Sequence, residues 1–394
     1  MRTERPEPFE TRDDSFAALS NKEGIIERMR LKLVVAVAAI LFALSWVAYK
    51  RPRLANPVPP PEQTRSHSAR HAVEPRLPAS RFPVSSPRVD PFPEGPSHTN
   101  LIARLLEGEE FPKLSPEQVQ SYLEKNHRSV GSLLAAFHAT DDRTFLREAM
   151  EKYPADPRLD YVAWFRSQSP EERRQWLDAF KQSAPDNALA NYLSARDYFK
   201  SGQNDQAVQD LSAAATKPIQ DYSLDFMQNS EEAYRAAGYS DAEAKMIATS
   251  TLLLPQLAEY KQVSLKLVEL ANAYRQSGDG ASAEAALQMA INLGQRLDDP
   301  RSLTIIQSLV GIALQRIVFN AMDPNSPYGD TGQTVQNQID ALAQRREAIK
   351  ALAQQTETVL RTMSDQDLIN YFDRMKVFGE QAAIRWAVST YGPQ

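Results

Sequence analysis

The chain reads as an all-α protein built from antiparallel helix pairs, with one further helix near the N-terminus suited to a bilayer. Three observations predict this. Helix-start signatures recur from residue 115 onward, and no run of alternating apolar residues is bounded by Asn-Gly or Asp-Gly turns. A tyrosine four residues before a glycine recurs at Tyr198/Gly202, Tyr234/Gly238 and Tyr274/Gly278, spaced by 36 and 40 residues. Leu33 to Tyr49 is seventeen residues without a charge.

Composition sets the bounds. The 394 residues carry 45 basic and 50 acidic side chains, 42% apolar residues and no cysteine. That apolar fraction supports a buried core. The missing cysteine excludes disulfides, thiol nucleophiles and zinc–thiolate sites. A net charge of −5 argues against general nucleic-acid binding, for which a basic surface supplies most of the affinity. Glycine is scarce (14) and proline plentiful (26).

Residues 1–30 read as an unstructured cytoplasmic leader. Residues 31–50 read as a transmembrane helix. Its uncharged run spans roughly 26 Å at about 1.5 Å per residue. Lys32 and Lys50 bracket it, and Trp46 and Tyr49 sit toward one end as interfacial aromatics. The alternatives are a buried soluble helix and a cleaved signal peptide. The charged brackets oppose the first, and bulky Trp46 after Ala43 and Ser45 opposes the second. Basic residues flank both ends almost equally, so orientation rests on the short leader. The expectation is a single-pass protein with its N-terminus in the cytoplasm and its bulk outside.

Residues 51–100 read as a disordered linker. Twelve prolines, including Pro59-Pro60-Pro61, forbid helix and favour extended conformations. His67, His71 and His98 read as linker histidines, because a metal site needs fixed geometry.

Residues 101–394 hold 30 basic and 39 acidic side chains, an acidic domain. Ser115-Pro116-Glu117-Gln118 and Ser169-Pro170-Glu171-Glu172 place a cap, a first-turn proline and a capping-box partner in order. Ser240 with Glu243 and Ser364 with Asp367 mark further starts. Stops are expected at Asp156-Pro157, Gly202, Gly238, Gly278 and Asp298 to Pro300. In the clearest unit, Leu267, Leu270, Ala271 and Tyr274 share a face of the first helix. Gly278 turns, and Ala283, Leu287 and Ala290 share a face of the second. Small Ala271 and Ala283 permit close helix crossing.

These residues resemble the tetratricopeptide repeat (TPR) family. The likeness is good over 267–290 and fair over 191–218, through Ala195, Tyr198, Gly202, Ala207, Leu211, Ala214 and Pro218. Over 231–250 it narrows to Tyr234 and Gly238, because Glu243 stands where a small residue is expected. The resemblance implies a TPR-like α-solenoid over 101–300, with a groove for a protein or peptide partner. Asn191, Asn272 and Arg275, polar residues of first helices, are the candidate groove residues.

Residues 301–394 read as a C-terminal long helical hairpin that caps the repeats or offers a coiled-coil-like dimer seam. Its first arm follows 301–321 and the turn-rich 323–332. Val335, Ile339, Leu342, Ile349, Leu352, Leu360 and Met363 recur at three- and four-residue steps, and one last helix covers about 365–390.

No catalytic residue, cofactor or metal is expected. His127 and His138 stand alone, and no H-E-x-x-H, G-x-S-x-G or phosphate-loop pattern occurs. The sequence from Gly278 to Ala283 mimics a dinucleotide fingerprint but follows a helix, not a strand. Acid pairs Asp141/Asp142, Glu171/Glu172, Glu231/Glu232 and Asp298/Asp299 are read as loop or helix-start residues. Asp323, Asn325 and Asp330 lack the spacing and the terminal glutamate of a calcium loop. Trp164, Phe165, Trp176 and Phe180 are read as core, with an exposed peptide-binding patch as the alternative. The expected function is a membrane-anchored scaffold for protein–protein interaction, on the outer side of a bacterial cytoplasmic membrane. The alternatives are an all-helical envelope hydrolase and a structural spacer or homodimeriser.

Overall fold

The computed structural model describes residue 105 and residues 111–329 and 332–392. The expected leader, membrane span and linker lie outside the described residues. Among the described residues no helix is long and apolar enough to cross a membrane.

The described residues form fifteen helices and no strand, an all-α arrangement. In order these are α1 (Pro116–Lys125), α2 (Val130–Thr140), α3 (Arg143–Lys152), α4 (Pro157–Arg166) and α5 (Pro170–Ser183). Next come α6 (Ala188–Lys200), α7 (Asn204–Ala214), α8 (Ser223–Ala236), α9 (Asp241–Ser250) and α10 (Gln256–Gln276). The last five are α11 (Gly280–Leu297), α12 (Ile305–Phe319), α13 (Val335–Leu360), α14 (Asp365–Phe378) and α15 (Glu380–Tyr391).

The helices start where their caps dictate. Ser115 with Gln118, and Ser240 with Glu243, form reciprocal capping boxes. Ser169 and Ser364 accept the N–H of Glu172 and Asp367. Asp156-Pro157, expected as a stop, is a start: Asp156 caps α4 and Pro157 is its first-turn proline. The preceding helix has already ended at Lys152.

Consecutive helices pack as pairs: α2 with α3, α4 with α5, α6 with α7, α8 with α9, and α10 with α11. Three of the pairs share one turn. Gly202, Gly238 and Gly278 have φ of 78°, 97° and 82°, the left-handed region that glycine tolerates. At each turn the N–H after the glycine (Gln203, Tyr239, Asp279) donates to the tyrosine carbonyl (Tyr198, Tyr234, Tyr274), at 2.9, 3.2 and 2.9 Å. This is the six-to-one bond of the Schellman motif, in the same register three times. Glu243 is buried in the position held by Ala207 and Ala283. It is accommodated because its carboxylate folds back to accept the Ser240 N–H at 2.8 Å.

Between pairs, α5 packs on α6, α6 on α10, and α12 on both α10 and α11. Helices α11 and α12 approach closely at Gly311, where a Cβ would lie 2.5 Å from the backbone of Asp298 and Gly294. The α8–α9 pair returns to the beginning of the domain, with α8 against α1 and α2. Tyr122 Oη donates to the Asn229 carbonyl at 3.3 Å, and Tyr234 Oη to the Pro112 carbonyl at 2.8 Å. A gapless array contacts only sequence neighbours; this return adds a contact across more than a hundred residues.

The C-terminal arm differs from the expected two-helix hairpin. The single helix over 365–390 is broken at Gly379, where φ is 83°. A Cβ at Gly379 would meet the backbone of Arg301 and Ser302 at 2.7 Å, so only glycine fits against the α11–α12 loop. The outcome is α14 packed on α9 and α15 packed on α13, with α14 and α15 also touching each other.

Candidate binding cleft

The main candidate site is an apolar cleft where α2, α4, α8 and the α9–α10 loop converge. Its walls include His138, Tyr161, Phe165, Phe226, Leu252 and Leu253. Tyr161 organises the floor. Its ring lies 6.2 Å from Phe226 and 5.6 Å from Trp164, both nearly parallel. Its hydroxyl donates to Gln256 Oε1 at 2.8 Å, and Gln256 Nε2 donates to Asp221 at 3.0 Å. The buried phenol therefore has its partner, and burial pushes its pKa well above the ordinary tyrosine value.

The rim leaves apolar surface in water. Phe165 is 39% exposed and Leu253 is 40% exposed. Arg166 stacks its guanidinium over Phe137 and Phe165, at 5.0 and 5.4 Å from the ring centres, and pairs with Asp141 at 2.8 Å. His138 packs edge-on to Phe226 at 5.1 Å. Burial, with the nearby Arg166 charge, lowers its pKa to about 4, so the imidazole is neutral at pH 7. The cleft is a hydrophobic receptacle with a neutral histidine in its wall.

The sequence-predicted residues fall into two groups. Ala195, Ala207, Tyr234, Ala271, Ala283, Leu287 and Ala290 are buried, Tyr198, Leu270 and Tyr274 are half-buried against the core, and the three turn glycines hold their expected positions. The groove candidates are not brought together. Asn191 is 4% exposed and held between Lys217 Nζ (2.9 Å) and Asp210 Oδ1 (3.4 Å). Asn272 and Arg275 are exposed and bond each other at 3.1 Å, and Arg275 also reaches the Ala321 carbonyl.

Of the aromatic quartet, Trp164, Trp176 and Phe180 are buried and only Phe165 is exposed. The acid pairs also divide. Asp142 caps α3, and Glu171 and Glu172 lie in the first turn of α5. Glu231 departs from its expected place at a loop or helix start. It is buried in the second half of α8 and binds Arg235 at 2.5 Å, Lys245 at 2.9 Å and Lys376. That network ties α8 and α9 to α14. Burial pushes Asp298 up to about 6 although Arg345 lies 3.2 Å away. Burial pushes Glu380 up to about 7, its carboxylate accepting the Ile305 N–H at 2.7 Å. Neither acid lines the cleft. Among the described residues no group of three or more histidine, aspartate or glutamate side chains could hold a metal ion.

Sequence reasoning missed the α9–α10 loop. Its signal is Leu252-Leu253-Leu254-Pro255, an apolar run ending in proline that fits neither helix period. The chain matches no protein-family model, no curated protein and no solved structure.

Proposed function

We propose that this protein is a membrane-anchored helical-repeat scaffold that docks a protein partner in the apolar cleft. In this reading residues 31–50 span a bacterial cytoplasmic membrane, residues 51–100 are a tether, and the TPR-like α-solenoid works on the outer side. The observation that carries it is the cleft itself, with Phe165 and Leu253 left in water on its rim. An exposed apolar rim around a concave site is the form that receives an anchor side chain from a partner. Fully burying one such aliphatic or aromatic side chain contributes about 1.5–3 kcal/mol. The shared Tyr–Gly turns support the repeat reading, and the uncharged run of Leu33 to Tyr49 supports the anchor.

The test is crosslinking capture by the full chain from native membranes. Wild-type chain is expected to retain a defined partner, and Leu253→Asp to lose it while keeping wild-type helicity. Retention of the same partner by Leu253→Asp and by Phe165→Ser contradicts the assignment of the cleft. Removing residues 31–50 is expected to release the chain from the membrane fraction.

A further inference from the structure

Beside a neighbouring face of α4 lies a second, charged notch. Trp164, about 100° around the helix from Phe165, floors it together with Leu193. Its walls are Arg173 of α5, Arg196, Asp197 and Lys200 of α6, and Glu259 of α10. Leu193, Arg196, Asp197 and Lys200 follow the three- and four-residue steps that place side chains on one helix face.

The charges in the notch do not cancel. Glu259 lies 3.2 Å from Arg196. Asp197 lies 3.4 Å from Arg174, whose other terminal nitrogen holds Asp178 at 2.7 Å. Arg173 and Lys200 make no ion pair within 4 Å among the described residues, and both act on Asp197 only as more distant charges. Arg173 Nε is buried without a hydrogen-bond partner, and Arg196 Nε, though in ionic reach of Glu259, is off the hydrogen-bond line. Arg173, Arg174, Arg196 and Lys200 against Asp178, Asp197 and Glu259 leave one positive charge in excess, inside a domain whose own balance is acidic.

We propose that the notch receives one side-chain carboxylate from an acidic residue of a peptide partner. The proposal deepens the docking reading above and rests on it for the partner being a protein. One carboxylate neutralises the excess charge, whereas a phosphate dianion leaves a negative surplus beside Asp197 and Glu259. Planar guanidinium groups present paired N–H donors that match a carboxylate. Trp164 and Leu193 offer an apolar floor to the methylenes of a glutamate stem.

The test is calorimetric titration of the full-length chain in detergent solution with an oligo-glutamate peptide, oligo-lysine and inorganic phosphate as separate probes. Saturable oligo-glutamate binding is expected, weakened by salt and weakened at least about ten-fold in Arg173→Gln with Lys200→Gln. Exposed Lys200→Glu, which leaves the core untouched, is expected to weaken it as well. Arg173→Lys is expected to keep part of the affinity. Leu253→Asp is expected to leave oligo-glutamate binding unchanged, so failure of the apolar cleft and failure of the notch are distinguishable. The proposal is overturned if oligo-glutamate does not bind, if oligo-lysine binds equally well, if phosphate binds in its place, or if the double variant binds like wild type.

Discussion

The α6–α7 and α10–α11 pairs turn alike and are held together differently. Counted from their turn glycines, Gly202 and Gly278, the positions correspond one to one. Ala195 matches Ala271, Ala207 matches Ala283, and Leu211 matches Leu287, all buried. At other core positions the pairs diverge, and at two of them a buried polar residue of the first pair corresponds to a buried apolar one of the second. Asn191 stands where the second pair has Leu267, and Asp210 stands where it has Ala286. In α6–α7 these polar residues build a network. Asp210 accepts from Lys181 and from Ser194 Oγ, both at 2.5 Å, and Lys217 closes onto Asn191. Buried α11 side chains are all apolar. The backbone turn thus fixes the pairing, while the core between the helices is free to be apolar or ionic.

The largest expected effect breaks the ionic core. Asp210→Ala strands Lys181 and Ser194 and is expected to destabilise the domain by about 3–5 kcal/mol in urea unfolding. Asn191→Leu combined with Asp210→Ala transplants the apolar pair. It is expected to recover at least about 1 kcal/mol of that loss, and simple additivity of the two changes would contradict the correspondence. Leu267→Ala in the apolar pair is expected to cost about 3 kcal/mol through its cavity, with no change in salt sensitivity. Smaller and equal losses, about 1 kcal/mol each, are expected for Gly202→Ala and Gly278→Ala. Nothing lies within 4 Å of a Cβ at either glycine, so φ alone sets the penalty. Unequal losses would show that the turns are not equivalent.

The pH-dependent effects of two buried groups run in opposite directions. Glu380 keeps its proton to about pH 7 when folded, against an ordinary value of 4.5. The native state therefore binds more protons than the unfolded chain in that window, and this contribution falls as pH rises from 4.5 to 7. His138, lowered to about 4 from 6.5, binds fewer protons when folded, so its contribution rises over pH 4 to 6.5. Thermal melts of Glu380→Gln are expected to lose the decline between pH 6 and 7, while the opposing contributions of Asp298, raised to about 6, and of His138 persist below pH 6.

The two pairs also show what a sequence reveals. Their turns were legible because Tyr–x–x–x–Gly is a local signal, and the buried faces followed from helical period. Asn191 reads as a groove candidate from sequence because its network partners, Asp210 and Lys217, come from later in the chain. The same holds at larger scale. Periodicity shows that α8 has an apolar face but does not show that the face returns to α1 and α2. The break at Gly379 depends on the distant Arg301–Ser302 backbone, and the rim of the cleft joins Phe165 to a loop some ninety residues away.

The most direct measurement compares two leucines of equal exposure. Leu253 on the cleft rim is 40% exposed, and Leu265 on α10, outside the cleft, is 41% exposed. A photocrosslinking amino acid is placed at each position in the full-length chain within native membranes. One discrete protein adduct is expected from position 253 and none from position 265. Equal labelling at both positions, or no adduct at 253, contradicts a docking role for the cleft.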